Sequence, residues 1–182
     1  MNATPRIFCC LALALTTGAA AAEPVPPGYR QVARETGVPP RLLYAIGLTE
    51  SGRRVEIDGR SVLRPWPWTL NVGGKGLYFP TRAQATETLE ALYDQGRRSI
   101  DIGLMQVNWR YHRSRLADRR QALDPYFNLR VAARILRECH EATHDWWQAV
   151  GCYHSPGKGK AARKRAERYR ARVRRHWRGL DG

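Results

Sequence analysis

The pattern of apolar and polar positions along the chain predicts a mostly helical protein. Apolar side chains that recur every three or four residues lie on one face of a helix. Proline at a first turn, threonine as an N-cap and glycine after the last turn mark where several of these helices begin and end. The predicted helices cover residues 29–36, 41–51, 81–95 and 129–140, with one more beginning at 146 and one in the C-terminal stretch 158–182.

The helix at 41–51 carries the most unusual polar residue in the chain. Leu43, Ile46 and Glu50 are spaced three and then four residues apart, so a carboxyl group ends an otherwise apolar face. Burial there would raise the pKa of this carboxyl and favour the protonated form that a general acid needs. On this stretch alone a surface glutamate near a helix end is the simpler interpretation, so the case for Glu50 depends on the rest of the chain.

Residues 69–79 predict a β-hairpin. Two short extended runs, 69–72 and 77–79, lie on either side of the glycine-rich turn 73–76. The aromatic residues here have two equally good interpretations, since they would either cap the core or wall a cleft in which sugar rings stack. These residues are Trp66, Trp68, Tyr78 and Phe79.

The segment 99–109 shows no clean helical pattern. Gly103 permits a positive φ or a close approach of another part of the backbone. Asp101 and Gln106 are polar groups among apolar neighbours. Each of the two, taken alone, is more simply a satisfied core or capping residue than a ligand.

The first 22 residues are predicted to be a signal peptide. Arg6 supplies a positive charge, the apolar run 7–17 is too short to span a bilayer, and residues 20–22 form an Ala-x-Ala cleavage site. Two cysteines lie inside the apolar run and not at its far end, which argues against a lipoprotein anchor. Cleavage after Ala22 would release a chain long enough for one domain into the periplasm, and no later run is apolar and long enough for a membrane helix.

Two cysteines remain after cleavage, Cys139 and Cys152. In an exported protein such a pair favours one disulfide, which would join two neighbouring helices here. Two buried free thiols are the alternative.

The formal net charge of +15 predicts attraction to polyanions such as nucleic acid, anionic lipid surfaces or acidic wall polymers. Export argues against nucleic acid. Much of the charge lies in 158–182, where Tyr169, Val173 and Trp177 repeat every four residues and form a narrow apolar seam. We expect a basic helical tail that docks on the domain or a partner and draws the protein to the anionic wall; a solvated extension is the alternative.

Three blocks of residues, in order, resemble the catalytic domain of the soluble lytic transglycosylases, which is similar to goose-type lysozyme. These blocks are Glu50-Ser51, Gly103-Leu-Met-Gln106, and Tyr153 after a helix that contains Ala149. Residues 65–72 (Pro-Trp-Pro-Trp-Thr-Leu-Asn-Val) and the cysteine-containing end resemble the small exported branch that accompanies conjugation, pilus and type III secretion systems. The resemblance covers about 28–157 and leaves the tail outside. It departs at His154, where the family usually has asparagine after the tyrosine.

The resemblance implies a mainly α, lysozyme-like single domain at 23–157 with a small β-hairpin. It implies non-hydrolytic cleavage of the β-1,4 bond between N-acetylmuramic acid and N-acetylglucosamine, with a 1,6-anhydromuramic product and neither metal nor cofactor. Glu50 would be the acid and then the base. The implied substrate-binding residues are Ser51 near the N-acetyl group, Gly103, Met105 as an apolar wall, Gln106 to orient the site, and Tyr153, which would also hold Glu50 by a hydrogen bond.

Two other functions fit the same residues. A lysozyme-type hydrolase would use Glu50 as acid and Asp101 or Asp58 as base, because most glycosidases need two carboxylates. A secreted basic binding or assembly protein would use Glu50 only structurally. The peptidoglycan strand is the expected partner, with components of a conjugation or secretion machine as a further expectation.

Overall fold

The computed structural model describes residues 24–180, and within them the predicted mainly α fold is confirmed. The elements are α1 (Pro27–Thr36), α2 (Pro40–Ser51), β1 (Gly52–Ile57), β2 (Arg60–Pro65), β3 (Thr69–Val72), β4 (Lys75–Tyr78), α3 (Arg82–Asp94), β5 (Ile100–Ile102), β6 (Val107–Asn108), α4 (Trp109–His112), α5 (Arg119–Ala122), α6 (Pro125–Thr143), α7 (Trp146–His154) and α8 (Lys160–Arg178). The predicted signal peptide lies outside the described residues. None of the helices described is long and apolar enough to cross a membrane.

Local sequence determines where the longer helices begin. Thr81, Asp124 and Asp145 each accept a hydrogen bond from the backbone N–H three residues later, at the starts of α3, α6 and α7. The N-cap predicted at Thr81 is therefore confirmed. The helix predicted at 129–140 is the middle of α6, which begins earlier because Pro125 suits a first helical turn.

Helix α2 lies at the centre of the core. Residues 42–49 are all buried, and the helix packs against α1, α8 and β2. A helix covered on every side needs apolar residues all round, and α2 has them until its last turn. The elements that cover this last turn therefore determine the environment of Glu50.

The predicted hairpin at 69–79 is confirmed as β3 and β4, with Val72 paired to Lys75 across the Gly73-Gly74 turn. These strands belong to a four-stranded antiparallel sheet in the order β4-β3-β5-β6. The sheet places Asp101 opposite Asn71 on one side and Asn108 on the other. This register brings the polar residues of 99–109 to one edge of the domain.

A second hairpin, β1 and β2, corrects the prediction of a single small one. Its strands are largely exposed, so they lack the apolar alternation that marks a half-buried strand. The turn could nevertheless have been predicted, because Asp58-Gly59 is a typical two-residue hairpin turn. In the structure both residues have positive φ values, 50° and 71°.

The stretch 158–182 forms the expected basic helix, and this helix docks on the domain, but its place in the core was not expected. Helix α8 packs against α2 and α7, and its seam is part of the core, with Tyr169 and Val173 only 1% and 0% exposed. The seam is narrow, but Ala162 and Ala166 extend it and let the helix approach closely. The domain therefore includes α8, and only the outer face of that helix presents its basic residues to solvent.

The predicted disulfide is confirmed. Cys139 near the end of α6 and Cys152 in α7 are bonded, with their Cα atoms 5.8 Å apart. The bond joins two helices that also pack against each other, and the end of α7 lines the cleft described below. It therefore fixes α7 relative to α6.

Replacing both Cys139 and Cys152 by serine is expected to lower the free energy of unfolding by about 3 kcal/mol, because the unfolded chain is no longer cross-linked. Thermal or denaturant unfolding measures this loss. Thiol titration of the oxidised, denatured protein without residues 1–22 should find no free thiol, and two reactive thiols there would contradict the bridge.

Candidate active site

A cleft of about 590 Å³ opens beside the last turn of α2. Residues from the β5–β6 region, α4 and the end of α7 line it together with Glu50. Of the residues predicted for the site, the cleft lining brings together Glu50, Gln106 and Tyr153. Ser51, Gly103 and Met105 lie behind this lining.

Glu50 lies at the inner end of the cleft, where the buried part of α2 stops. The pKa of its carboxyl is raised to about 7, chiefly by burial and to a smaller extent by the nearby Asp101. A hydrogen bond from Tyr169 and the positive charge of Arg172 oppose this shift. A substantial fraction of the carboxyl is therefore protonated near neutral pH, which is the state a general acid requires.

The hydroxyl that holds Glu50 belongs to Tyr169 of α8. Its Oη donates to Glu50 Oε1 at 2.5 Å, across 119 residues of sequence. Burial and the charge of Glu50 raise the pKa of Tyr169, so the phenol keeps its proton and remains a donor. Sequence analysis named Tyr169 only as part of an apolar seam, although a buried tyrosine generally needs a partner for its hydroxyl, and that was the available signal.

Two neighbours fix the position of Tyr169 on its helix. The ring of His154 stacks on the ring of Tyr169 with centroids 4.2 Å apart and an interplanar angle of 3°. Arg172, one turn along α8, donates from Nη2 to the backbone oxygen of Thr49 at 3.0 Å. Burial and nearby arginines lower the pKa of His154, so a neutral ring at the position of the usual asparagine supports Tyr169.

The role predicted for Tyr153 is only partly right. Tyr153 lines the cleft, but its hydroxyl donates to the backbone oxygen of Met105 at 2.7 Å and not to Glu50. A phenol has one proton to donate, so Tyr153 anchors the 103–106 loop while Tyr169 holds the carboxyl. Both tyrosines lie near Glu50, and their spacing along the chain did not reveal which one bonds to it.

Ser51 does not contact the cleft as predicted. Its side chain is 0% exposed, and its Oγ donates to the backbone oxygen of Leu104 at 2.6 Å and accepts from the N–H of Trp66 at 3.2 Å. A substrate N-acetyl group cannot reach a hydroxyl so placed. Ser51 instead joins the end of α2 to the loop that carries Gln106.

The loop 103–106 owes its shape to one glycine and one buried asparagine. Gly103 has a φ of 78°, and a Cβ there would lie 2.9 Å from Asn128 Nδ2, so only glycine fits. Asn128 donates to the backbone oxygens of Ile102 and Ala122, each at 3.0 Å, and accepts from the N–H of Met105 at 2.8 Å. Sequence analysis missed this role of Asn128.

Gln106 lies in the cleft with its backbone in the left-handed region, at a φ of 48°. Its Nε2 donates to the backbone oxygens of Gly103 at 2.8 Å and Thr69 at 3.1 Å. These bonds fix its amide group against the loop at the cleft, and its role in orienting a substrate stays a prediction.

Met105 does not wall the cleft as predicted. It is 0% exposed and packs in the core, where its sulfur accepts a long contact of 3.9 Å from the hydroxyl of Tyr29. Its side chain therefore supports the loop from behind.

Asp101 is a second carboxyl in the cleft. Burial raises its pKa, and a hydrogen bond from Asn108 Nδ2 at 2.7 Å opposes that shift. Glu56 and Asp58, by contrast, lie on the exposed β1–β2 hairpin. Asp101 is therefore the carboxyl that shares the cleft with Glu50.

The aromatic residues around the first sheet are not part of the cleft lining. Trp66 Nε1 donates to the backbone oxygen of Phe79 at 2.7 Å, and the rings of Trp66 and Trp68 meet edge to face at 5.5 Å. Trp68 and Phe79 pack against the core, while Tyr78 is 45% exposed. Two of the four residues, Trp68 and Phe79, therefore cap the core, which was one of the two interpretations left open.

Residues 24–180 contain no cluster of three histidine, cysteine, aspartate or glutamate side chains suited to a metal ion. What the cleft offers instead is one protonated carboxyl, a second carboxyl and several neutral hydrogen-bonding groups.

Comparison with known proteins agrees with this geometry. A family model described as the transglycosylase SLT domain matches residues 29–176, which is most of the chain and includes α8 almost to its end. The expectation that the family resemblance stops before the basic helix is therefore wrong. No curated protein and no solved structure gives a significant match. The chain thus belongs to the transglycosylase SLT domain family, whose activity is the degradation of peptidoglycan.

Proposed function

We propose that the protein is a lytic transglycosylase that cleaves the β-1,4 bond between N-acetylmuramic acid and N-acetylglucosamine and leaves a 1,6-anhydromuramic end. The observation that carries this proposal is the buried carboxyl of Glu50 in the cleft, whose pKa is raised to about 7. Membership of the family supplies the substrate class.

One carboxyl is sufficient for both halves of this reaction. Glu50 gives its proton to the glycosidic oxygen as the bond from C1 to that oxygen breaks, and the N-acetyl oxygen of the sugar stabilises the positive centre at C1. The Glu50 carboxylate then takes the proton of the C6 hydroxyl while that oxygen bonds to C1. The proton returns to Glu50 and no water is consumed.

Tyr169 and Arg172 support the charged intermediate state of Glu50. After proton transfer the carboxylate accepts the Tyr169 hydrogen bond, and Arg172 provides a positive charge nearby. Burial alone would make the carboxylate too costly to form. A pKa of about 7 is the balance that lets one group serve as acid and then as base near neutral pH.

Hydrolysis is a second candidate, favoured by the presence of Asp101 in the same cleft. Most glycosidases use two carboxyl groups, one as acid and the other as base or nucleophile. The products distinguish the two reactions, because hydrolysis adds water and leaves a reducing end while transglycosylation does not.

We further propose that the protein acts in the periplasm and opens the wall locally for a conjugation or secretion apparatus. The disulfide supports an oxidising compartment. Residues 65–72, which resemble the small exported branch of the family, support the link to such machines. Deleting the protein from a host that carries such an apparatus should lower transfer or secretion. If the Glu50→Gln variant restores it fully, wall cleavage is not the contribution.

Glu50→Gln is expected to lower the release of muropeptides from purified sacculi by at least about a hundredfold, since a positioned acid contributes roughly 10²- to 10⁴-fold. The amide has a similar shape but cannot donate and recover the proton. Mass spectrometry of the soluble products measures the release. Glu56→Gln on the exposed hairpin is the matched control and should release muropeptides at the wild-type rate. Near-normal release by Glu50→Gln would contradict the mechanism.

The fold of the Glu50→Gln variant can be checked by thermal unfolding. The pKa of Glu50 is about 7 in the folded protein and 4.5 as its ordinary value, which the unfolded chain adopts. The folded wild type therefore loses stability as the pH rises through the interval between these two values. The variant has no such loss and should melt at a temperature at least as high as the wild type at pH 8.

The wild-type rate is expected to fall as pH rises through about 7, because Glu50 loses the proton it must donate. The Tyr169 hydrogen bond stabilises the carboxylate, so Tyr169→Phe should raise the pKa of Glu50 and move this decline to higher pH. Tyr153→Phe is the matched control, since its hydroxyl bonds to Met105. A pH profile of kcat/KM measures the shift, and an unmoved decline in Tyr169→Phe contradicts the assignment.

Asp101→Asn is expected to keep 1,6-anhydro ends on the released products, because transglycosylation needs no second carboxyl. The same mass measurement identifies the ends. Reducing ends in the wild type, together with loss of release in Asp101→Asn, would establish hydrolysis instead.

A further inference from the structure

A second cavity, of about 770 Å³, lies next to the catalytic cleft and is lined by four arginines. They are Arg97, Arg98, Arg110 and Arg113, with Tyr93 and Trp109 beside them, and the lining contains no aspartate or glutamate. Four cations around one cavity whose lining has no carboxylate favour an anionic ligand.

Three of these guanidinium groups have no hydrogen-bond or ion-pair partner among residues 24–180. Arg98 stacks on the ring of Tyr93 at 3.9 Å and donates to the backbone oxygens of Tyr93 and Arg97, so it is already engaged. Within the described chain, Arg97, Arg110 and Arg113 donate no side-chain hydrogen bond and form no ion pair. Arg110 lies over the ring of Tyr111 at 5.9 Å, a contact that leaves its N–H groups unused, so all three arginines can donate to a ligand.

The side chain of Asn108 connects this cavity to the catalytic cleft. Asn108 lines the cleft, and its Nδ2 reaches Asp101 at 2.7 Å and Ser99 Oγ at 3.3 Å, while Ser99 lines the arginine cavity. Helix α4 likewise contributes Tyr111 to the cleft and Arg110 to the cavity. A branched ligand seated in the cleft can therefore extend a branch into the cavity.

We propose that the arginine cavity binds the carboxylates of the stem peptide carried by the muramic acid residues of the strand in the cleft. This inference rests on the proposed function, which places a glycan strand there. The stem peptide branches from the glycan backbone and carries free carboxylates, and arginine is the side chain best suited to bind these groups in pairs of hydrogen bonds. The enzyme would then prefer glycan that bears peptides over glycan that does not.

The test compares two forms of the same soluble glycan strands, one with uncross-linked stem peptides and one stripped of them by an amidase. The variant is Arg97→Gln with Arg110→Gln and Arg113→Gln, which leaves the engaged Arg98 in place. We expect kcat/KM on peptide-bearing strands to fall about tenfold, equivalent to ~1.4 kcal/mol, and kcat/KM on stripped strands to stay unchanged.

A matched variant controls for the loss of three positive charges. Lys164→Gln with Arg168→Gln and Arg175→Gln removes the same charge from the exposed outer face of α8. If general attraction to the anionic wall is the role of that face, this variant weakens binding to intact sacculi at low salt but keeps the preference for peptide-bearing strands. The inference is overturned if the cavity variant keeps the wild-type preference, or if both variants lose it equally.

Direct binding separates this inference from the proposed function. The free stem peptide, titrated into the Glu50→Gln protein and followed by calorimetry or NMR, should bind, and the three cavity substitutions should abolish binding. If the peptide binds but the wild type releases no product from either strand, the proposed function fails and the cavity assignment stands. If the wild type cleaves but the peptide does not bind, the cavity assignment fails alone.

Discussion

The hydrogen bond between Tyr169 and Glu50 is the contact on which the site depends. It joins the last turn of the most buried helix to a helix that is 119 residues away in sequence. Burial makes the carboxylate of Glu50 unfavourable, while the Tyr169 hydroxyl and the charge of Arg172 make it accessible. Without α8 the carboxyl would face solvent and revert toward an ordinary pKa, so Glu50 and its covering helix form one unit.

Positioning in this domain relies on residues that do not face the cleft. Ser51 joins α2 to the loop that carries Gln106, and Asn128 holds the same loop through three backbone contacts. Gly103 is the residue that lets Asn128 approach. The residues of the family motifs therefore fall into two groups, those that line the cleft and those that hold the loop from behind.

The sequence predicted well those features that depend on local chemistry. Helix α3 with its cap, the β3–β4 hairpin and Glu50 at the end of an apolar face all follow from side chains within a few residues of each other. It predicted poorly the features that depend on distant contacts. Tyr153 and Tyr169 look alike as sequence, and only packing shows that the first reaches Met105 and the second Glu50. The seam of α8 looked too narrow for the core because the contribution of its alanines depends on how closely α2 and α7 approach.

The position of α8 in the chain has a consequence for when the enzyme becomes active. Helix α8 follows every other element in order of synthesis and supplies both groups that counteract the burial of Glu50. A chain in which α8 has not docked lacks both groups, however complete its other helices are. The environment of Glu50 is therefore completed only when the last helix of the chain packs against α2.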